Sequence, residues 1–294
     1  MRVSNLYQKA GGKPVISFEF FRAKTEKAAQ TLEKALDLLQ ATRHDYMSVT
    51  FGAGGSTREG SYELIDKLKK DRGLNVVAYI AGVGLGPEDV TDVLDKFKSQ
   101  GIETVFAIQG DTPQDDIDFN PHPQAMAHAS DLLAFIKARY DFCLGAAAYP
   151  EGHIHAESLE KDIEYARLKQ DNGAEYLMAQ YFYDNQFFYD FVDKCRAEGI
   201  TIPIIPGIMP IYSVKMTEML SAVCGTAIPD AVRDAIAKVP ADDKEGVARY
   251  GIDLAIRQCR DLLKNGVPGL HFYTMNRGKS VHEIVTTLEK EGLV

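Results

Sequence analysis

The chain has 294 residues, 45% of them apolar and 26% charged, and its formal net charge is −9. That acidity argues against a broad nucleic-acid surface or a dock for anionic membrane. No apolar run approaches the roughly 20 residues of a membrane span, and MRVSNLYQKAGGKP lacks the apolar centre of a secretory signal, so a cytoplasmic protein is expected.

The first clear element is VISFEFF (15–21), a β-branched and aromatic run after a Gly-Gly-Lys-Pro turn signal. Alternation puts Ile16, Phe18 and Phe20 on one face and Ser17, Glu19 and Phe21 on the other. A carboxylate among phenylalanines needs a partner or a proton. Two readings of Glu19 are open: an ion pair with a Lys or Arg of a neighbouring strand, or a carboxylic acid poised to protonate a substrate near neutral pH.

An amphipathic helix at 25–40 follows, with Leu32, Ala35, Leu36 and Leu39 in helical spacing. The rhythm then repeats. Strands are expected at 45–51, 75–81, 103–109, 142–149, 175–182, 202–208 and 270–275. Helices are expected after 52–57 through Leu68, then at 87–100, 125–140, 157–172, 186–198, 212–222, 229–238, 244–264 and 279–291. Strands that read as continuous apolar runs joined by helical crossovers argue for a parallel sheet covered on both faces. Eight such units without a linker fit a single (β/α)₈ barrel (a TIM barrel) spanning 1–294. Chemistry in such barrels sits at the C-terminal strand ends. These ends carry Glu19, Thr50, Tyr79, Gln109 with Asp111, Tyr149 with His153, Gln180 with Tyr181, Pro206-Gly207, and Tyr273 with Asn276 and Arg277.

Several weaker signals have plainer readings. GAGGST (52–57) and GVGLG (82–86) follow strands but match neither phosphate-loop pattern, so tight turns with Ser56, Thr57 or Gly86 near a helix N-cap are favoured. His153-Ile154-His155 lacks a third metal ligand at a recognisable spacing. Asp115-Asp116-Ile117-Asp118 reads as a solvated loop, and the aromatics of 181–191 as core, with Tyr181 or Tyr183 available to flank a planar ligand. Cys143, Cys195, Cys224 and Cys259 are far apart, which suggests buried thiols with neither zinc nor an iron–sulfur cluster in this chain.

Taken together, VISFEFF, SVTFGAGGST, AIQGDTP, AAYPEGH, AQYFYD, IIPGIMP and HFYTMNR resemble the successive motifs of methylenetetrahydrofolate reductase, from about residue 14 to 288. The resemblance implies a barrel that binds a flavin, usually FAD, with FMN open. It also implies reduction of 5,10-methylenetetrahydrofolate to 5-methyltetrahydrofolate, with NADH or NADPH as donor. By motif, Glu19 would protonate N10 of the folate, and Asp111 would lie near flavin and pterin. Thr50, Gln109, Tyr149, His153, Asp162 and Lys169 match flavin-binding positions, with Tyr149 and Lys169 suiting a flavin that carries an anionic diphosphate. Gln180, Tyr181 and Arg277 match the substrate side.

The chain departs from the family pattern at Arg22-Ala23, where two prolines are usual, and at Tyr79, where histidine is usual. Gln109 replaces an arginine, Tyr165 and Leu168 stand where Asn and Arg are common, and Val214 stands where a phenylalanine is frequent. These changes sit on the cofactor and donor side. They keep two alternatives open: a flavin subunit fed by an iron–sulfur partner, inactive with free NADH, and a non-redox pterin-binding barrel of methyltransferase type. A homo-oligomer is open as well. No regulatory domain is expected after the eighth helix, nor control by an effector such as S-adenosylmethionine.

Overall fold

The computed structural model describes residues 1–9, 13–51, 55–112, 119–240 and 243–294, with the backbone alone for 9 and 55–57. Eight parallel strands close on themselves in chain order. They are β1 (Val15–Phe20), β2 (Tyr46–Val49), β3 (Val76–Ala81), β4 (Thr104–Ile108), β5 (Cys143–Ala148), β6 (Tyr176–Tyr181), β7 (Ile204–Ile208) and β8 (Gly269–Tyr273). β8 pairs with β1 in register Ser17↔His271 and Glu19↔Tyr273, which completes the ring. The expected barrel is therefore present, with strand boundaries within a residue or two of the apolar runs.

The helices are α1 (Val3–Lys9), α2 (Glu26–Gln40), α3 (Gly55–Asp66, running into a wider π-type turn at Lys67–Asp71), α4 (Pro87–Ser99), α5 (Ala129–Lys137), α6 (Leu159–Asp171), α7 (Asn185–Ala197), α8 (Val214–Cys224), α9 (Asp230–Ala237), α10 (Lys244–Lys264) and α11 (Gly278–Lys290). Their starts follow the local chemistry. Thr25 and Ser158 accept from backbone N–H groups of α2 and α6, and Gly86 begins α4 with its own N–H held by Asp89 at 3.0 Å. The Gly86 expectation holds, whereas the GAGGST turn with its Ser56 and Thr57 side chains and the acid run 115–118 lie outside the described residues.

Alternation separates the two faces of β1 as expected. Ile16, Phe18 and Phe20 are fully buried in the layer between strands and helices, while Ser17 and Glu19 face inward, Ser17 meeting His271. The barrel interior is filled by rings: Tyr79 stacks on Phe106 at 4.4 Å between centroids, and Phe106 and Tyr7 each lie 6.0 Å from Tyr176. Gly145 makes room for them, since a Cβ there would come within 2.6 Å of both Tyr176 and Phe106.

The apolar pattern of residues 1–14 does not predict α1. It closes the N-terminal end of the barrel: the Val3 N–H donates to Thr104 Oγ1 (3.1 Å), Ser4 Oγ donates to Glu175 (2.6 Å), and Arg2 pairs with Asp141 and Glu175. Seven residues are too few to show a helical period, and such a short helix persists only when docked. With that end sealed, the opposite end is where a ligand can enter.

Candidate active site

Glu19 stands inside the open end with its side chain 15% exposed. No Lys or Arg among the described residues comes within 4 Å of its carboxylate, so the ion-pair reading is set aside; the nearby base is His271, with Nε2 3.6 Å from Oε2. Tyr273 from β8 and Tyr79 from β3 crowd the same acid. Burial first, then the charge of Glu19, pushes both phenols well above their ordinary range. Tyr79, a departure from the family pattern, thus serves as part of the aromatic floor beside the acid.

The end of β1 is held from across the closure. Thr274 Oγ1 donates to the Glu19 carbonyl at 2.6 Å, and the Asn276 amide brackets Phe21, accepting from its N–H (3.1 Å) and donating to its carbonyl (2.8 Å). Met275 and Asn276 adopt left-handed backbone, φ 51° and 55°, to make this turn. Asn276 was noted in the sequence as a strand-end group without a role, and this clasp is its role. Arg277, next along, is exposed and lies over the Tyr212 ring at 5.5 Å.

A second cluster gathers where β5 meets α6. Lys169 is buried and donates to the Ala147 carbonyl at 2.9 Å, with its Nζ 5.5 Å from the centre of the Tyr149 ring. Asp162, also buried, accepts from the His153 N–H at 2.7 Å, and the His153 ring meets Tyr149 edge-on at 4.6 Å. Burial lowers the Lys169 ammonium against the pull of Asp162, and burial raises Asp162. Burial lowers His153 as well. Four of the sequence-predicted residues, Tyr149, His153, Asp162 and Lys169, are thus brought together from a loop and a helix. The lysine lies at the inner end of the cluster rather than on the outer surface.

The other predicted residues are placed as follows. Thr50 is half-buried just past β2, its N–H on the Phe20 carbonyl at 2.9 Å. Gln109 is half-buried; its Nε2 donates to the Met126 carbonyl (3.3 Å), while its Oε1 is buried without a partner. Asp111 is exposed after Gly110 (φ 77°), and its charge is felt by Tyr149 and His153. Gln180 is half-buried at the end of β6, Oε1 accepting from the Tyr181 N–H. Tyr181 is 3% exposed and packs in a separate apolar layer with Tyr183, Ile211 and Tyr212; with Gln180 and Tyr149 it lines a small crevice. Tyr165 and Leu168 are each 43% exposed on α6. Among the described residues no three His, Cys, Asp or Glu side chains converge as metal ligands.

Ser17 and His271 were given no role in the sequence. Their signal was the alternation itself, which puts Ser17 on the face of Glu19 and His271 on the face of Tyr273.

The class these features define is a (β/α)₈ barrel with an enclosed acid and an aromatic floor at the C-terminal mouth. The family profile for methylenetetrahydrofolate reductase matches residues 5–289. Similar proteins include methylenetetrahydrofolate reductase 1 of Schizosaccharomyces pombe, 34% identical over 94% of this chain and 46% of its own length. Methylenetetrahydrofolate reductase (NADH) 1 of Arabidopsis thaliana is 34% identical over 94% and 48%. The 5,10-methylenetetrahydrofolate reductase of Escherichia coli is 30% identical over 94% and 91%. The chain belongs to the methylenetetrahydrofolate reductase family, and it spans about half the length of the plant and yeast relatives.

Among solved structures, a Clostridium thermocellum protein that binds two copies of 5-methyl-5,6,7,8-tetrahydrofolic acid superposes with TM-score 0.66 at 14% identity, covering 95% of this chain and 96% of that one. The dihydropteroate synthase of Xanthomonas albilineans gives 0.52 at 10% identity, with coverage of 96% and 94%. At such identities the likeness is one of fold.

Proposed function

We propose that the chain reduces 5,10-methylenetetrahydrofolate to 5-methyltetrahydrofolate at the C-terminal mouth of the barrel, with Glu19 as the acid. The observation that carries this is the setting of Glu19: enclosed, free of any Lys or Arg partner among the described residues, and beside His271. Protonation of N10 by Glu19 opens the five-membered ring to an N5 iminium, whose cation the acidic mouth around Asp111 tolerates. Gln180 is placed to hydrogen-bond the pterin once its amide leaves the Tyr181 N–H, and Arg277 lies at the rim for the more acidic part of the substrate.

The mouth also fits a flavin. The orphaned Gln109 Oε1 and the buried Lys169 ammonium are an acceptor and a donor suited to a heterocycle of alternating N–H and C=O groups. FAD is the expected form, with FMN open, held by Thr50, Gln109, Tyr149, His153, Asp162 and Lys169. Bound there, the flavin supplies the two electrons of the reduction. Lys169 would lend the bound group its positive charge, and Asp162 fixes the loop that carries His153. NADH or NADPH is the expected donor, and the departures from the family pattern at Leu168 and Val214 keep an iron–sulfur partner protein as the alternative.

The test is Glu19→Gln. Folate turnover should fall by roughly 10²–10⁴-fold while flavin content and its reduction by the donor persist. Unchanged folate turnover would remove Glu19 from the chemistry. An anaerobic titration separates the donors: bleaching by NADH or NADPH establishes a nicotinamide donor, and bleaching by dithionite alone points to a partner.

A further inference from the structure

Strands β6 and β7 fall out of step where Gln180 sits. Met178 pairs with Ile205 and Tyr181 with Gly207, so β6 takes three steps where β7 takes two. The extra residue makes a bulge at the end of β6, a device that re-aims side chains at strand ends but breaks the regular ladder. Pro206, inside the slipped stretch, brings no N–H of its own. Gln180 Oε1 accepts from the Tyr181 N–H at 3.0 Å, a bond that is lost when the amide turns to a ligand.

The bulge is gripped from two strands away. Tyr273, on β8, reaches past β7 and donates its hydroxyl to the Ala179 carbonyl at 3.0 Å. Its ring crosses β7 at Gly207, where a Cβ would come within 2.5 Å of both the Ala179 carbonyl oxygen and the ring. Gly207 is not among the glycines with positive φ, so close approach, not backbone conformation, is what calls for a glycine there. Tyr273 is itself well anchored. Tyr212 donates its hydroxyl to the Thr274 carbonyl at 2.9 Å, and Thr274 Oγ1 donates to the Glu19 carbonyl at 2.6 Å.

We propose that Tyr273 is a positioning residue for Gln180: its hydroxyl, passing over the missing side chain of Gly207, struts the bulged end of β6 while the Gln180 amide turns to the substrate. This rests on Gln180 being the group that binds the pterin in the proposed reaction. The carbonyl that Tyr273 holds belongs to the peptide joining Ala179 to Gln180. When Gln180 lets go of the Tyr181 N–H, the strut is the bond that stays. One neutral hydrogen bond of this kind corresponds to a roughly three- to tenfold change in binding.

Tyr273→Phe keeps the ring and removes the hydroxyl. Flavoprotein reduced with dithionite is reoxidised by 5,10-methylenetetrahydrofolate, and the folate dependence of that step is followed. The half-saturating folate concentration should rise roughly three- to tenfold in Tyr273→Phe, with a smaller change in the limiting rate. It should rise by roughly tenfold or more in Gln180→Ala, and adding Tyr273→Phe to that variant should change it by less than about twofold. Effects that multiply would overturn the strut and assign the hydroxyl to Glu19 or to the substrate directly. A parental value in Tyr273→Phe beside a raised one in Gln180→Ala would overturn it as well. A second readout needs neither flavin nor folate. Amide hydrogen exchange of residues 176–182 should quicken by roughly threefold or more in Tyr273→Phe, with β3 and β4 as in the parent. Unchanged exchange there would overturn the strut. If Gln180→Ala keeps the parental folate dependence while Tyr273→Phe loosens residues 176–182, the pterin role of Gln180 falls and the strut stands.

Discussion

Asn276 shows how one side chain fixes the acid from across the barrel closure. Both of its amide atoms are spent on Phe21, two residues beyond Glu19, and its φ of 55° is one that asparagine tolerates better than most residues. Asn276→Ala leaves the Phe21 N–H and carbonyl unpaired and keeps the strained backbone. A loss of about 1–3 kcal/mol is expected by denaturant unfolding, together with a lower folate rate and retained flavin. Lys169 makes the complementary case. Its ammonium is buried against Ala147 and Tyr149, so Lys169→Met should leave the fold intact and weaken flavin retention by about tenfold or more, read by flavin fluorescence on dilution.

At the scale of elements, α1 and the mouth are separated by the column of rings from Tyr7 through Tyr176 and Phe106 to Tyr79. Glu175 anchors α1 by accepting from Arg2 (3.0 Å) and Ser4 (2.6 Å). Glu175→Ala should therefore cost about 1–2 kcal/mol and lower Tm by a few degrees, with folate kinetics unchanged. A change in KM would mean that the ring column transmits strain to the mouth. α6 works in the opposite sense: one helix delivers both Asp162 and Lys169, two turns apart, to the end of β5.

For the whole molecule, stability depends on closing the ring of helices as well as the ring of strands. Arg249 pairs with Glu283 and Arg260 with Glu291, linking α10 to α11 beside the β8–β1 closure. The arginines hold both carboxyls below their ordinary value of 4.5. A carboxyl with a depressed folded-state value contributes its stability above the unfolded value and loses it as pH falls through the folded one. Thermal unfolding of an Arg249→Met, Arg260→Met double variant should thus show a Tm below the parent at pH 7, a gap that narrows as pH drops below 4.5. A gap independent of pH would assign the effect to packing of the arginine stems.

The sequence by itself determined the barrel and its polarity. Apolar strands at regular spacing leave few ways to bury both faces of a parallel sheet, and polar groups at the strand ends mark one mouth. Glu19, Tyr149, His153 and Gln180 were legible as groups at or just past strand ends, whereas Asp162 and Lys169 were singled out by the family resemblance, period 3.6 adding only that they share one helix face. Only the tertiary structure decided the partners. That Glu19 faces His271 and, among the described residues, no Lys or Arg, that Lys169 is drawn inward onto Ala147, that Tyr181 is packed in a separate layer, and that α1 seals the far end all depend on contacts between residues distant in sequence. Closure of β8 onto β1 brings Ser17 beside His271, 254 positions away along the chain. No local pattern encodes such a contact, because it forms only when the last strand meets the first.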